Sequence, residues 1–238
     1  MKETSLVVED LQFSLRRSKA RKTVGITVER DGTLILSAPE NTPDHLLREV
    51  VEEKREWIYT KLAKKELLFK PRPAKEFVDG EGFFYLGRSY RLQLVDPVDQ
   101  NGKKRPTLRL HRGYFELRRD EVHRGREHFI RWYREHAHPW LQRKVDLWKY
   151  RLGVQPTEVR VMDLGYRWGS CGASGNLNFH WRTILLPASI VEYVVAHELA
   201  HLHQPHHTPQ FWEHLDRAMP DYVRRKQWLA ENGGEYGL

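Results

Sequence analysis

Cysteine and long apolar stretches are what this 238-residue sequence has least of. Its one cysteine, Cys171, excludes an intramolecular disulfide and argues against a structural zinc site, which usually uses several thiolates. No window approaches the roughly 18 consecutive apolar residues that a membrane-spanning helix requires. The first residues carry acids where a signal peptide would have a basic region and then an apolar run. We therefore expect a cytoplasmic protein with no membrane association.

Positive charge, by contrast, is in excess: 40 Lys and Arg face 32 Asp and Glu, and the formal net charge is +8. Such an excess favours binding to polyanions, including nucleic acid. No RNP-type motif, zinc-finger spacing or P-loop accompanies the charge, and a solvated basic surface is the plainer interpretation. The charge therefore allows a weak association with nucleic acid, and no feature of the sequence indicates the oligomeric state.

Short strand-like runs dominate the chain up to about residue 120. Residues 5–39 contain several such runs, and Asp31-Gly32 between two of them is a strong hairpin signal. Residues 77–117 again show short apolar runs punctuated by Gly and Asn-Gly. No internal sequence repeat relates the two sets, so they are predicted simply as two groups of strands.

Two long helices are predicted from apolar residues at helical spacing. The first opens with Thr42 as its cap and Pro43 at the first helical position, and the prolines at 71 and 73 end it. The second covers about residues 126–151 and contains Pro139, which is expected to kink or split it.

The order of strands and helices predicts an α+β protein in two parts. Residues 1–120 form a β-rich region with one long helix, and residues 121–238 form a helix-dominated region. His136 and His138 in the second long helix lack the acid-plus-histidine spacing of a metal site. We therefore interpret them as ordinary helix residues.

A third helix carries the polar residues of greatest interest. Ser189 and Glu192 have the spacing of a capping box, so the helix is predicted to begin there. Residues 190–196 are then apolar nearly all round, which is typical of a buried helix. Polar side chains on a buried helix need partners, and this makes the next residues informative.

Those residues are His197, Glu198 and His201, in the pattern H-E-x-x-H. Positions four apart on a helix are separated by about 6 Å of rise and about 40° of rotation, so both imidazoles project from one face. Two imidazoles so placed can hold one zinc ion, and Glu198 beside them can take a proton from water. The pattern predicts a zinc-dependent hydrolase with Glu198 as general base.

A catalytic zinc site needs a third protein ligand and an open fourth position. Pro205 should end the helix, and Thr208 with Pro209 should cap and start the next one. His206 and His207 both lie on the short connection, and spacing alone does not choose between them.

The segment from Arg167 to Trp212 resembles the YgjP-like metal-dependent hydrolases, which are related to the SprT-like and WLM groups of zinc metallopeptidases. The strong match covers about a fifth of the chain. The residues that carry it are Arg167-Trp168-Gly169-Ser170-Cys171, Gly175-Asn176-Leu177-Asn178, Trp181-Arg182, Leu186-Pro187, the run from Val194 to Leu202, His207 and Phe211-Trp212.

The resemblance implies a zincin-like C-terminal core, with a small antiparallel sheet packed on the metal helix. In that family the histidine four residues before the Phe-Trp pair is the third ligand, which points to His207. The Arg-Trp-Gly-Ser-Cys segment is implied to lie near the cleft. Arg167 could there contact substrate or an oxyanion, and Cys171 is interpreted as a small packed residue rather than a ligand or nucleophile.

Three functions are compatible with this reading. The first is a metallopeptidase that acts on a peptide substrate. The second keeps the metal and cleaves another bond, such as the phosphoanhydride of a nucleoside triphosphate, although no paired-carboxylate cluster for two metals is visible. The third is a nucleic-acid-associated protease or binding module, since the SprT-like group includes proteases that act on DNA-bound proteins.

Overall fold

The computed structural model describes residues 4–29, 33–68, 74–165 and 167–238. The chain divides into two compact units, Met1–Arg72 and Pro73–Leu238. This division differs from the boundary at residue 120 that the sequence suggested, because the second group of strands shares a core with the helices that follow it. Within that core, the Phe83 ring lies 4.1 Å from the Phe129 ring and the Phe115 ring 5.0 Å from it.

The first unit is a four-stranded sheet followed by two helices. Apolar residues alternate along its second strand, where Leu11, Phe13 and Leu15 are buried in the same core as Leu47 and Ile58. The strand order is β1-β2-β4-β3, with β2 and β4 parallel and the outer pairs antiparallel. The elements are β1 (Thr4–Val8), β2 (Leu11–Ser18), β3 (Gly25–Val28), β4 (Leu34–Pro39), α1 (Asp44–Glu53) and α2 (Arg55–Leu68).

The start of α1 corrects the predicted cap. The helix begins at Asp44, Pro43 occupies the capping position, and no side chain caps it. The Thr42 carbonyl instead accepts a hydrogen bond from the Arg17 guanidinium. The predicted long helix is also interrupted at Lys54. The expected Asp31-Gly32 turn and the prolines at 71 and 73 lie outside the described residues.

The second unit opens with a sheet of the same topology as the first. Its order is β5-β6-β8-β7, again with the two central strands parallel and the outer pairs antiparallel. Helices follow both sheets. The strand arrangement is therefore repeated in the chain, although no sequence repeat relates the two sets of strands. The elements are β5 (Gly82–Tyr85), β6 (Arg88–Val95), β7 (Leu108–His111), β8 (Tyr114–Arg118), a 3-10 helix (Arg119–Arg124) and α3 (Gly125–Leu152).

Helix α3 connects this sheet to the rest of the second unit. It has 28 residues and runs through Pro139 without a break, so the expected split does not occur. His136 contacts the carbonyl of Trp132 through Nδ1, and His138 contacts the carbonyl of Val159 through Nε2. His136 thus contacts its own helix, whereas His138 connects the helix to the strand Val159–Met162.

A three-stranded sheet and three helices complete the second unit. The strand order is β10-β11-β9; β10 pairs antiparallel with β11, whereas β9 is parallel to it, so the sheet is mixed rather than wholly antiparallel. The α+β class is confirmed. The elements are β9 (Val159–Met162), β10 (Gly169–Cys171), β11 (Leu177–His180), a 3-10 helix (Trp181–Leu185), α4 (Ala188–Ala200), α5 (Pro209–Ala218), α6 (Tyr222–Asn232) and a last 3-10 helix (Gly233–Glu235).

Among the described helices, none combines the length and the apolar character needed to cross a bilayer.

The aromatic core of the second unit supports a stability prediction. Phe129→Ala should lower the free energy of unfolding by about 3–5 kcal/mol, because it leaves a cavity between two rings. Urea unfolding followed by tryptophan fluorescence measures the loss. Tyr150→Ala removes a ring of the same helix that is 79% exposed, and its effect should stay within about 0.5 kcal/mol. Equal losses in the two variants would contradict the core position of Phe129.

Candidate metal centre

The site is built on α4, in which residues 190–196 are buried apart from Glu192. The helix begins at Ala188 after Pro187, so the predicted capping box is wrong. The Ser189 carbonyl accepts a hydrogen bond from Arg225, and the Glu192 carboxylate pairs with Lys144 and Arg225. These two cations come from α3 and α6, and they fix the metal helix between its neighbours.

Three imidazoles converge at the end of α4. His197 and His201 lie one turn apart, with ring centroids 5.0 Å from each other. His207 approaches from the connection to α5, and its Nε2 lies 2.9 Å from the Nε2 of His197. The nitrogen atoms that the three residues offer all lie within 4.8 Å of one another. The structure thus brings together the three histidines that the sequence singled out, and His206 is exposed beside them.

The connection that carries His207 is fixed as the sequence predicted. Pro209 occupies the first turn of α5, and the Thr208 hydroxyl accepts a hydrogen bond from the Phe211 amide. Phe211 is fully buried, and its ring lies within 5.0 Å of all three imidazoles. Trp212 stacks on His207 at 5.3 Å with an interplanar angle of 21°. The aromatic pair therefore holds His207 against the helix.

The donor set fits a tetrahedral cation. Nδ1 of His201 faces the Gln204 carbonyl at 3.1 Å, which leaves its Nε2 lone pair for the centre. A tetrahedral zinc with bonds of about 2.0–2.1 Å separates its nitrogen ligands by about 3.3 Å. The 2.9 Å between the His197 and His207 nitrogens is close to that spacing.

The histidines are held in the neutral form that binds metals. Burial lowers the pKa of His197 to about 3, and the neighbouring His201, His207 and Lys226 act in the same direction. Burial is also the main cause of the lowered pKa values of His201 and His207. All three rings are therefore unprotonated at physiological pH, with lone pairs available to a cation.

Glu198 is buried between α4 and β10, with 6% of its surface exposed. Its carboxylate accepts a hydrogen bond from the Cys171 backbone amide. Burial raises the pKa of Glu198 to about 8, although the charge of Arg167 and this hydrogen bond oppose the rise. A Cβ on Gly169 would lie 2.7 Å from the Glu198 Cγ, so only glycine allows the strand to come this close.

The strand β10 was missed by sequence reasoning, because it lies in a segment rich in glycine. Its pairing pattern shows why the strand matters. The Gly172 amide donates a hydrogen bond to the Asn176 carbonyl, and the Trp168 carbonyl accepts one from the His180 amide, so positions 168 and 172 face β11. The alternate residues Gly169 and Cys171 therefore direct their backbone N–H and C=O groups to the opposite edge of β10. That edge faces Glu198.

Cys171 and Arg167 occupy the surroundings that the family resemblance implied. Burial and the charge of Glu198 raise the pKa of the Cys171 thiol, which keeps it protonated and suits neither a ligand nor a nucleophile. Arg167 is exposed and acts on Glu198 through its charge. Sequence reasoning did not find Tyr193, whose ring lies 5.8 Å from His197 one turn earlier on α4, nor Lys226 on α6.

A model of the YgjP-like metallopeptidase domain matches residues 22–232 of this sequence. The chain belongs to the YgjP-like metallopeptidase family. It is therefore a metal-dependent, peptidase-like hydrolase, and this YgjP-like chain has a histidine triad that could hold the ion.

Other comparisons add little to the family assignment. A search of curated proteins found no match. Among solved structures, the crystal structure of the metallopeptidase zymogen abylysin of Pyrococcus abyssi is similar, with 24% sequence identity and a TM-score of 0.34. That match covers 37% of this chain and 86% of the abylysin chain.

The buried Glu198 predicts a stability effect in the metal-free protein. Between its ordinary pKa of 4.5 and the folded value of about 8, the unfolded state loses the proton that the folded state keeps. The stability contributed by this group is therefore present below pH 4.5 and is lost as the pH rises towards 8. Glu198→Gln does not titrate, so the variant should gain stability relative to wild type from pH 5 to pH 8.

Urea unfolding in the presence of a chelator at these two pH values measures the gain. Glu135→Gln changes an exposed carboxylate on α3 and should show the same difference from wild type at both. A Glu198→Gln curve that follows the wild type at both pH values would show that the carboxyl group is not buried as described.

Proposed function

We propose that this chain is a zinc peptidase in which His197, His201 and His207 bind the metal and Glu198 is the general base. The observation that carries the proposal is the convergence of three neutral imidazoles, with a buried carboxylate on the residue that follows His197. Three imidazoles with an open fourth position suit zinc better than the other common divalent ions.

The residues of the chain have separate roles in this proposal. A bound zinc ion would polarise the scissile carbonyl and lower the pKa of water at the centre. Positive charge nearby favours the ionised form of a carboxyl group, so Glu198 is a base in the loaded enzyme and accepts a proton from the attacking water. It then delivers that proton to the departing amine, and water is added across the peptide bond. Arg167 and the Cys171 amide hold the carboxylate in place throughout.

The free edge of β10 favours a peptide over a nucleotide as substrate. An edge strand offers unpaired backbone groups, and an extended peptide can pair with them as an added strand. Gly169 directs its backbone groups to the edge that faces Glu198, so such a peptide would lie beside the base. Phosphoanhydride cleavage gains no comparable support, since the cluster able to hold a metal in the described ranges is the histidine triad alone.

The assignment of the third ligand can be tested with neighbouring variants. His207→Ala should lower the zinc content from about one ion per chain to near zero, because two imidazoles alone hold the ion weakly. His206→Ala removes the adjacent exposed histidine and should leave the zinc content unchanged. Elemental analysis after dialysis measures both, and the opposite result would assign the ligand to His206.

The role of Glu198 predicts loss of turnover without loss of metal. Glu198→Gln should keep its zinc and lower the hydrolysis of a casein-type substrate by about 100-fold or more, as expected for removal of a general base. Glu213→Gln changes an exposed acid on α5 and should retain wild-type turnover. Wild-type activity in Glu198→Gln would disprove the mechanism. Release of phosphate from a nucleoside triphosphate, with no cleavage of casein, would assign another bond.

A further inference from the structure

A lysine from α6 lies beside the metal centre. The Lys226 ammonium is 4.0 Å from the centre of the Trp212 ring, and Trp212 in turn stacks on His207. Lys226 is therefore separated from the candidate ligand His207 by a single aromatic ring.

The fold fixes the position of Lys226. Arg225, the preceding residue, donates a hydrogen bond to the Ser189 carbonyl at 2.7 Å and holds α6 against the start of α4. Tyr222, one turn earlier than Lys226, stacks on Trp212 at 5.5 Å with an interplanar angle of 16°. Because residues four apart share a helix face, Tyr222 and Lys226 present the same face to Trp212.

The ammonium group remains available to a ligand. Lys226 is exposed, and within the part of the chain that the structure describes it forms no ion pair. Its neighbour Arg225, by contrast, is held by Asp221 and Glu192. The Lys226 ammonium is thus held over Trp212 and not by a carboxylate. An exposed cation beside the candidate metal centre attracts anionic groups and orients them.

We propose that Lys226 is a specificity-determining residue that binds a substrate carboxylate next to the scissile bond. The carboxylate is either an acidic side chain or the C-terminal group of the peptide, since both have the same chemistry. The inference rests on the proposed peptidase function and names its substrate class as peptides with a negative charge near the cleavage point. Lys226 touches the substrate in this proposal, whereas Trp212 only positions the ammonium.

Binding to an inactive variant tests the proposal without requiring turnover. A neutral fluorescent octapeptide would carry a single Glu at successive positions, with matched Gln peptides, and each would be made as the free acid and as the C-terminal amide. Fluorescence anisotropy with zinc-loaded Glu198→Gln should show tighter binding for Glu than for Gln at one or two positions. The expected preference is about three- to tenfold, as for a partly exposed charge-assisted hydrogen bond.

Changes at Lys226 should alter this preference in a graded way. Lys226→Met in the same background should abolish it, Lys226→Arg should retain it, and Lys226→Glu should reverse it. Arg224→Gln removes a positive charge from the same helix at a side chain that is 83% exposed, and it should preserve the preference. In active enzyme, Lys226→Met should raise KM for the acidic peptide and leave kcat almost unchanged.

The possible failures are distinguishable. Equal binding of Glu and Gln peptides together with equal binding of the free-acid and amide series, or equal loss of the preference in Lys226→Met and Arg224→Gln, would overturn the role of Lys226. Absence of cleavage of every peptide by the zinc-loaded wild type would overturn the peptidase function, while a Lys226-dependent preference in binding would still support the anion site. Tighter binding of the free acids than of the amides, with equal binding of Glu and Gln peptides, would assign the carboxylate to the chain terminus.

Discussion

The contact between Glu198 and the strand β10 is the constraint on which the site depends. A carboxylate with 6% exposure is costly to bury, and only partners close at hand offset that cost. The Cys171 amide and the charge of Arg167 are those partners, and the side-chain-free Gly169 lets the strand approach. The segment 169–171 therefore contacts the Glu198 carboxylate through its backbone rather than through side chains.

The same burial that destabilises the metal-free centre prepares it for a cation. His197 is kept neutral with its pKa lowered to about 3, and Glu198 is kept protonated with its pKa raised to about 8. A divalent ion would act on both groups. The neutral imidazole offers it a lone pair, and its positive charge favours the ionised form of the Glu198 carboxyl group. Such unfavourable burial is typical of functional sites, where stability is given up for activity.

Sequence reasoning was strongest where chemistry depends on local spacing. The face shared by His197 and His201, and the cap that Thr208 forms for α5, follow from helix geometry alone. It failed where the partner of a residue is distant in the sequence. Glu192 looked like half of a capping box, but its carboxylate forms ion pairs with Lys144 and Arg225, which lie on two other helices.

The missed strand and the missed lysine have related causes. Residues 169–171 form a strand because they pair with β11 and because Gly169 lets the backbone lie close to Glu198. Neither partner can be identified from the glycine-rich sequence of the segment itself. Lys226 lies near the histidines only because α6 packs on α4. Spacing within α6 shows that Lys226 lies one turn after Tyr222, but it cannot show which helix that face contacts.

The repeated sheet topology shows how one arrangement of strands is used in two ways. In the first unit, the turn after β1 contacts its own helix: Glu9 pairs with Arg55, and Asp10 accepts a hydrogen bond from the Tyr59 hydroxyl. The corresponding turn after β5 instead donates backbone hydrogen bonds to the segment just ahead of the metal helix, from Leu86 and Gly87 to carbonyls at positions 184 and 185.

Gly87 makes that second use possible. Its φ of +79° suits the turn, and a Cβ there would lie 2.7 Å from the Pro187 Cα at the start of α4. At the position equivalent to Gly87, the turn of the first unit carries Asp10, whose side chain contacts Tyr59 instead. The two sheets thus share a strand order although their side chains differ. The turn of the second sheet supports the residues that lead into α4 and so helps to set where that helix begins.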